Sequence, residues 1–211
     1  VSLAQAFYVG FWKKRVVILP NLFTWGLGTS GQLGDSTAVS KSSPIMIGSV
    51  TTWSRISAGA SHVVALRSDG SLWAWGAGTS WQLGIGVAAN RSSPSQVGSL
   101  TDWWKIASGG THTLALKTDG SLWGWGLNTS GQLGLGPTAG QWTPVFNYSD
   151  VAAVSAGQDV VMFKKTDGSL WAWGLGSNGL MGNSATTNQT SPIQIGAAAY
   201  QDFSLSASSL L

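Results

Sequence analysis

The chain has 211 residues, of which 43% are hydrophobic and only 9% charged, with a formal net charge of +3. Its 29 glycines, 13 tryptophans and few helix-forming residues favour strands joined by tight turns, and the lack of cysteine excludes disulfides and cysteine-ligated metal sites. No run of residues is apolar enough to cross a bilayer as a helix, so we expect no membrane insertion.

Residues 1–21 form an N-terminal segment that precedes the first recognisable pattern. It contains Lys13, Lys14 and Arg15, which carry three of the eleven positive charges, so the rest of the chain is close to neutral. Phosphate binding requires a clustered basic face, so we do not expect nucleic acid as a partner.

The decapeptide WGLGTSGQLG at residues 25–34 contains the G-x-G-x-x-G spacing of dinucleotide-binding loops. A nucleotide site would also need a helix after the last glycine and an acidic residue about 20 positions further on. The chain offers neither, because short polar residues and glycine follow Gly31 and no carboxylate stands near position 51. The decapeptide also returns three times, starting at Trp75, Trp125 and Trp173, which indicates a structural role.

These four copies recur with a period of about 50 residues, which is typical of solenoids and propellers. The copy boundaries fall at 22–71, 72–121, 122–169 and 170–211, with the last copy incomplete. The structural repeat positions are the Trp-Gly pairs Trp25-Gly26, Trp75-Gly76, Trp125-Gly126 and Trp173-Gly174, and the Asp-Gly pairs Asp69-Gly70, Asp119-Gly120 and Asp167-Gly168.

The Asp-Gly pairs predict a β-hairpin in each copy. Each pair lies between two runs rich in Val, Leu and Trp, and Asp-Gly tolerates the positive φ angles of a tight turn. Alternation places Trp73 and Trp75 on one face of the strand, and Leu72 and Ala74 on the other. With further short strands at 44–48 and 53–59, each copy has the four strands of a propeller blade.

Residues 112–136, HTLALKTDGSLWGWGLNTSGQLGLG, resemble the repeat of the regulator of chromosome condensation family, whose seven blades form a ring. The W-G…G-Q-L-G and H-T-x-A-L…D-G elements recur at fixed offsets, and the resemblance covers about residues 22–211. It implies an all-β propeller of four-stranded antiparallel blades, in which the glycines of the decapeptide shape turns rather than hold a nucleotide.

Four copies of a repeat that closes with seven predict an open arc or part of a larger ring, with exposed strand edges. The last copy ends at SLSASSLL, without a counterpart of the strand that contains His62. Residues 16–19 resemble that strand, so they could complete the last blade and close a four-bladed ring. Otherwise the sequence is a fragment, or other subunits or copies of the chain cover the edges.

Candidate binding residues are those at which one copy departs from the others. Trp81 replaces the glycine found at 31, 131 and 179, Trp142 replaces Ser or Thr, Trp104 replaces Ser54, and Lys164 replaces a leucine. Exposed tryptophan is enriched at binding hot spots, although each of these residues could instead fill a gap between blades.

Other repeated polar residues have structural interpretations. His62 and His112 occupy equivalent strand positions with no accompanying carboxylates, so we expect no metal site. Arg67, Lys117 and Lys165 each stand two residues before a turn aspartate, where they could form a ring of charge or a solvated hairpin end. No catalytic set emerges, and no cofactor is expected.

These features favour a non-catalytic binding or structural module on a virion (phage tail, fibre or capsid surface) or outside cells. Its expected partners are protein subunits, further copies of itself, or a host-surface protein or glycan. In the close similarity of its copies, the chain resembles the repeat propellers of bacterial and phage proteins. The resemblance also leaves two alternatives, a nucleotide-exchange regulator of the small GTPase Ran and a secreted enzyme inhibitor.

Overall fold

The computed structural model describes residues 21–48, 52–177, 182, 186–196, 200, 203 and 205. They contain fourteen β-strands and no α-helix, and hence no helix able to cross a membrane. The strands are β1 (Phe23–Gly26), β2 (Lys41–Met46), β3 (Trp53–Ala58), β4 (His62–Arg67), β5 (Leu72–Gly76), β6 (Arg91–Gln96), β7 (Trp103–Ser108), β8 (His112–Lys117), β9 (Leu122–Gly126), β10 (Gln141–Tyr148), β11 (Val151–Ala156), β12 (Val160–Lys165), β13 (Leu170–Gly174) and β14 (Gln189–Gln194).

The strands form three four-stranded antiparallel sheets and one two-stranded sheet. The first blade is β3-β4-β5-β6, the second β7-β8-β9-β10 and the third β11-β12-β13-β14, while β1 and β2 pair with each other. The leading strands contact one another from blade to blade, β3 with β7 and β7 with β11, so they lie innermost. These sheets confirm the predicted all-β propeller architecture. The fourth-blade role predicted for residues 16–19 lies outside the described residues.

Each blade combines strands from two successive copies of the sequence. The first copy ends with β3 and β4, and the second copy begins with β5 and β6, which complete the same sheet. The copy boundary therefore falls at the hairpin turn inside a blade. Successive copies are joined by the backbone hydrogen bonds of a sheet as well as by the chain.

The Asp-Gly hairpins form as predicted, with β4 antiparallel to β5. At the turn Gly70 has φ +80°, and its N–H donates to the Arg67 carbonyl at 3.0 Å. Asp69 accepts the N–H of Ser71 at 2.9 Å and its hydroxyl at 2.6 Å, and Ser71 accepts the indole N–H of Trp73 at 2.9 Å. These Ser71 bonds also lower the pKa of Asp69. Equivalent chains run through Asp119, Ser121 and Trp123 and through Asp167, Ser169 and Trp171.

The two faces of β5 pack as the alternation predicts. Trp75 is fully buried and shares a cluster with the half-buried Trp73, while Leu72 and Ala74 belong to the core between the first and second blades. Burying both faces removes most of the apolar surface of the strand from water, which is the main stabilising contribution to the blade stack.

The last glycine of each of the first three decapeptides receives the tryptophan of the following copy. Gly34 has φ +75°, and a Cβ there would lie 2.7 Å from the indole nitrogen of Trp75. That nitrogen donates to the Gln32 carbonyl at 3.1 Å. The same contact joins Trp125 to Gly84 and Gln82, and Trp173 to Gly134 and Gln132. Only glycine combines this φ with so close an approach, so the repeated glycines connect neighbouring copies.

Candidate binding surface

Trp81 and Trp142, which the sequence singles out separately, form one stacked pair. Their ring centroids are 5.3 Å apart and their planes differ by 12°. Trp142 lies on β10, the outermost strand of the second blade, with 54% of its surface exposed. Trp81 is half-buried in the turn of the preceding decapeptide, at φ +63°. We call these two residues the rim pair.

The rim pair stands where the first and third copies have a glycine contact. A Cβ on Gly31 would lie 2.7 Å from the Cα of Ser92, and one on Gly131 would lie 2.7 Å from the Cα of Thr190. In the second copy the equivalent position is Trp81, whose ring stacks on Trp142 of β10 in the next blade. The two large residues therefore occur at the same inter-blade contact, where glycine faces a small residue in the neighbouring copies.

Phe146 is a further exposed aromatic residue of β10, and the sequence analysis missed it. It lies on β10 with 48% of its surface exposed and meets Trp123 edge-on, with centroids 5.9 Å apart. The signal was present, because the equivalent residues of other copies are Met46 and Gln96. Trp81, Trp142 and Phe146 together are called the rim surface.

Trp104 lies elsewhere, on the innermost strand of the same blade. It stands at a break in the β7–β8 register between Trp103 and Lys105, and it is 40% exposed. The Lys105 ammonium lies 4.0 Å from the centre of its ring. Because β7 and β10 are three strand spacings apart, about 14 Å, Trp104 is separate from the rim surface.

Lys164 belongs to the neighbourhood of Lys105 rather than to the rim. It is half-buried on β12, opposite Ala153 and Leu170, at the position where Leu66 is buried in the first blade. Burial, and then the charges of Arg55 and Lys164, lower the pKa of Lys105, whose ammonium donates to the Ala152 carbonyl at 2.9 Å. The four candidate residues thus divide into two groups.

The three hairpin cations each lie over the tryptophan of the following strand. Arg67 is 3.6 Å from the ring centre of Trp73. Lys117 and Lys165 lie 4.6 Å and 4.5 Å from the rings of Trp123 and Trp171. Lys117 also pairs with Asp102 at 3.2 Å. These contacts are cation–π interactions that stabilise the hairpin ends.

The two histidines are fully buried and differ in their partners. His62 Nε2 lies 2.9 Å from the Thr113 hydroxyl, which itself donates to the Gln82 carbonyl at 2.8 Å. Because the Thr113 hydroxyl donates its own hydrogen to Gln82, its oxygen accepts a hydrogen bond from His62, and the ring proton of His62 is on Nε2. For His112 the residue equivalent to Thr113 is Val161, and neither ring nitrogen of His112 has a hydrogen-bond partner among the described residues.

Burial lowers the pKa of both imidazoles. The pKa of His62 falls to about 3, with a further contribution from the charge of His112. The pKa of His112 falls to about 4, opposed by the attraction of Asp159. In the part of the chain that the structure describes, no group of three or more acidic, histidine or cysteine side chains could hold a metal ion.

The family model of the regulator of chromosome condensation (RCC1) repeat matches residues 21–66, 69–116, 119–163 and 167–205. A second model of the same repeat matches residues 53–80 and 105–132. The chain therefore belongs to the RCC1 repeat family, which confirms the resemblance seen in the sequence. A comparison with curated proteins gives no match.

Solved structures of the same fold are similar over most of the chain. Prp20p from Saccharomyces cerevisiae is 23% identical with a TM-score of 0.76, over 87% of this chain and 48% of that one. Human WBSCR16 is 22% identical with a TM-score of 0.73, over 83% of this chain and 47% of that one. The chain thus spans about half the length of these proteins, and at such identities the likeness shows the fold alone.

Proposed function

We propose that this chain is a non-catalytic protein-binding module whose contact is the rim surface. The observation that carries the proposal is the rim pair, two stacked indoles that occur at one inter-blade contact and are replaced by glycine and a small residue at the equivalent contacts. The core of the fold is built without them at those other contacts, so their presence here serves a purpose beyond closing the blade stack.

The physical properties of the rim surface fit a protein partner. Each indole presents a large area, and stacking already restricts its rotamers, so little conformational entropy is lost on binding. Trp142 and Phe146 are each about half exposed on an outermost strand, where a partner can reach them without the blades opening. Tryptophan contacts of this kind contribute much of the binding free energy at protein interfaces.

We assign the module to the surface of a virion, as a phage tail, fibre or capsid-surface component, or to an extracellular protein. The low charge and the Ser-, Thr- and Gly-rich composition support this location, as does the similarity between copies. In purified particles from the source, mass spectrometry should find the chain in fixed ratio to the major structural proteins. Its absence from such particles and from the extracellular fraction would contradict the assignment.

The binding role is tested by returning the rim pair to the residues of the first copy. The double variant Trp81→Gly with Trp142→Ser recreates the Gly31–Ser92 pairing and should fold like the parent. A photo-reactive phenylalanine at position 142 should cross-link the partner. The double variant should bind that purified partner at least about thirtyfold more weakly, the factor that corresponds to the loss of one hot-spot contact.

Leu100 supplies a matched control, because it is an exposed apolar residue outside the rim surface. Leu100→Ser should bind the cross-linked partner like the parent. Equal affinity of the parent and the double variant would contradict the rim surface as the contact, even if a partner exists.

A second candidate is the kind of binding reported for Prp20p, whose structure was described with its binding to Gsp1p and histones. The shared fold favours it, although this chain spans only about half of Prp20p. Direct titration of the chain with Gsp1p and with histones distinguishes the candidates. Binding to either that survives the Trp81→Gly and Trp142→Ser changes would support this second candidate.

A further inference from the structure

Two basic residues of neighbouring blades lie close together on the innermost strands, away from the rim surface. Arg55 is exposed on β3 and Lys105 is half-buried on β7, and each follows a break in the pairing with the next strand of its blade. The two strands are adjacent, since the Ser108 N–H donates to the Ser57 hydroxyl at 3.0 Å. Burial, and then the nearby charge of Arg55, lower the pKa of Lys105.

Neither cation has a carboxylate partner among the described residues. The ion pairs found there are Lys41–Asp35 and Lys117–Asp102. The Lys105 ammonium donates to the Ala152 carbonyl at 2.9 Å, and its other N–H groups have no protein acceptor in that part of the chain. Two like charges thus lie side by side with unused hydrogen-bond donors, an arrangement that an anionic group from another molecule would stabilise.

The third blade has a cation at the same level, but on a different strand. In the first two blades the cation stands opposite a leucine, in the pairs Arg55–Leu66 and Lys105–Leu116. In the third blade Ala153 stands opposite Lys164, so alanine replaces the cation and lysine replaces the leucine. This paired exchange keeps one positive charge in each blade, which favours a role for the charge itself.

Trp104 places an exposed aromatic ring beside these charges. It occupies the break in the β7 pairing, where the first copy has Ser54 and the third has Ala152. The Lys105 ammonium lies 4.0 Å from the centre of its ring. The indole therefore adds a flat apolar surface next to the cations, on which the methylene groups of a bound chain can pack.

We propose that Arg55, Lys105 and Trp104, which we call the inner site, bind an acidic segment of a partner protein. A glutamate or aspartate carboxylate would accept hydrogen bonds from the Arg55 guanidinium and from the Lys105 ammonium. Nucleic acid fits less well, because its tight binding takes about 6–10 phosphate contacts, more than these cations supply. The inner site contains no residue of the rim surface, so it goes beyond the proposed function.

Fluorescence anisotropy with a labelled poly-glutamate peptide tests the inner site. The parent should bind the peptide at low ionic strength and release it as salt is added, because salt screens exposed charges. The double variant Arg55→Gln with Lys105→Gln should bind about tenfold more weakly, since each exposed ion pair is worth about threefold in affinity. Circular dichroism should show that this variant keeps the strand content of the parent.

The matched control is Lys41→Gln with Arg91→Gln, which removes the same charge from equivalent positions of the outermost strands β2 and β6. This control should bind the peptide like the parent. An equal loss of affinity in both double variants would overturn the proposal, because net charge alone would then explain the binding.

Two further variants separate the indole and the rim surface from the cations. Trp104→Ser, which restores the residue of the first copy, should weaken binding without changing its salt dependence. Trp81→Gly with Trp142→Ser should bind the peptide like the parent, so the inner site and the rim surface are tested independently. A parent that does not bind poly-glutamate at low salt would overturn the proposal, as would tighter binding of a labelled single-stranded oligonucleotide than of the peptide.

Discussion

At the scale of single residues, the two buried histidines show how one substitution changes the hydrogen bonding of the preceding copy. His62 has Thr113 as its partner, and Thr113 passes a hydrogen bond on to the Gln82 carbonyl. The equivalent residue beside His112 is Val161, so a buried polar ring lacks partners there. Leaving a buried polar group unpaired costs about 1–3 kcal/mol.

Val161→Thr should therefore stabilise the protein, by about 1 kcal/mol, because it supplies His112 with the partner that His62 has. Equilibrium urea unfolding at neutral pH measures the change. The control is the same substitution in a His112→Val background, where the gain should disappear. A gain of equal size in both backgrounds would show that the histidine is not its source.

The same histidines predict loss of stability in mild acid. Their folded-state pKa values, about 3 and about 4, lie below the unfolded value of 6.5, so protonation favours the unfolded chain. Stability is thus fully retained above about pH 6.5 and falls as the pH drops towards 4, by up to about 1.4 kcal/mol per pH unit for each histidine.

Urea unfolding at a series of pH values between 7 and about 4.5 checks this expectation. His112→Val, which copies Val160 of the next copy, should remove about half of the slope. An unchanged slope in the variant would contradict the assignment of acid sensitivity to these residues.

At the scale of strands and blades, the tryptophans have two different roles, one in the core between copies and one at the exposed rim. Trp75 is fully buried between copies, whereas Trp142 stacks on one neighbour at an exposed rim. Stability should therefore depend strongly on the first and weakly on the second.

Trp75→Ala should lower the free energy of unfolding by about 3–5 kcal/mol, the usual cost of a large core truncation. Trp142→Ser should lower it by no more than about 1.5 kcal/mol, the value of an aromatic pair. Urea unfolding followed by circular dichroism measures both. Similar losses of unfolding free energy in the two variants would show that Trp142 is a core residue, and the basis for a binding role would be gone.

Much of this blade-level picture is predictable from the sequence. The Asp-Gly turns, the period and the alternation at Trp73 and Trp75 follow from local rules of strand and turn chemistry. The stacking of Trp81 on Trp142 does not, because those residues lie in different copies and meet only once the neighbouring strands are known. Phe146 was missed because the comparison of copies stopped at tryptophans and a lysine.

At the scale of the whole molecule, the copies are joined in two ways. Each four-stranded sheet takes strands from two successive copies, and each of the last three copies places a tryptophan on a glycine of the copy before it. Both links run in the same direction along the chain, so the arc has two different ends. The sequence period predicts the blades, but not this offset between copy and sheet, because hydrogen-bond partners are set by the tertiary fold.

The link between copies is tested most directly by a double-mutant cycle at Gly84 and Trp125. A Cβ on Gly84 would lie 2.5 Å from the Trp125 indole nitrogen, so Gly84→Asn should cost about 1–3 kcal/mol of unfolding free energy through overpacking. In a Trp125→Leu background, where the indole is gone, that cost should fall to the cost of Gly98→Asn, a change at a glycine with φ +62° and nothing within 4 Å of its Cβ position. An equal cost in both backgrounds would contradict the account, because the glycine would then not be there to receive the next copy's tryptophan.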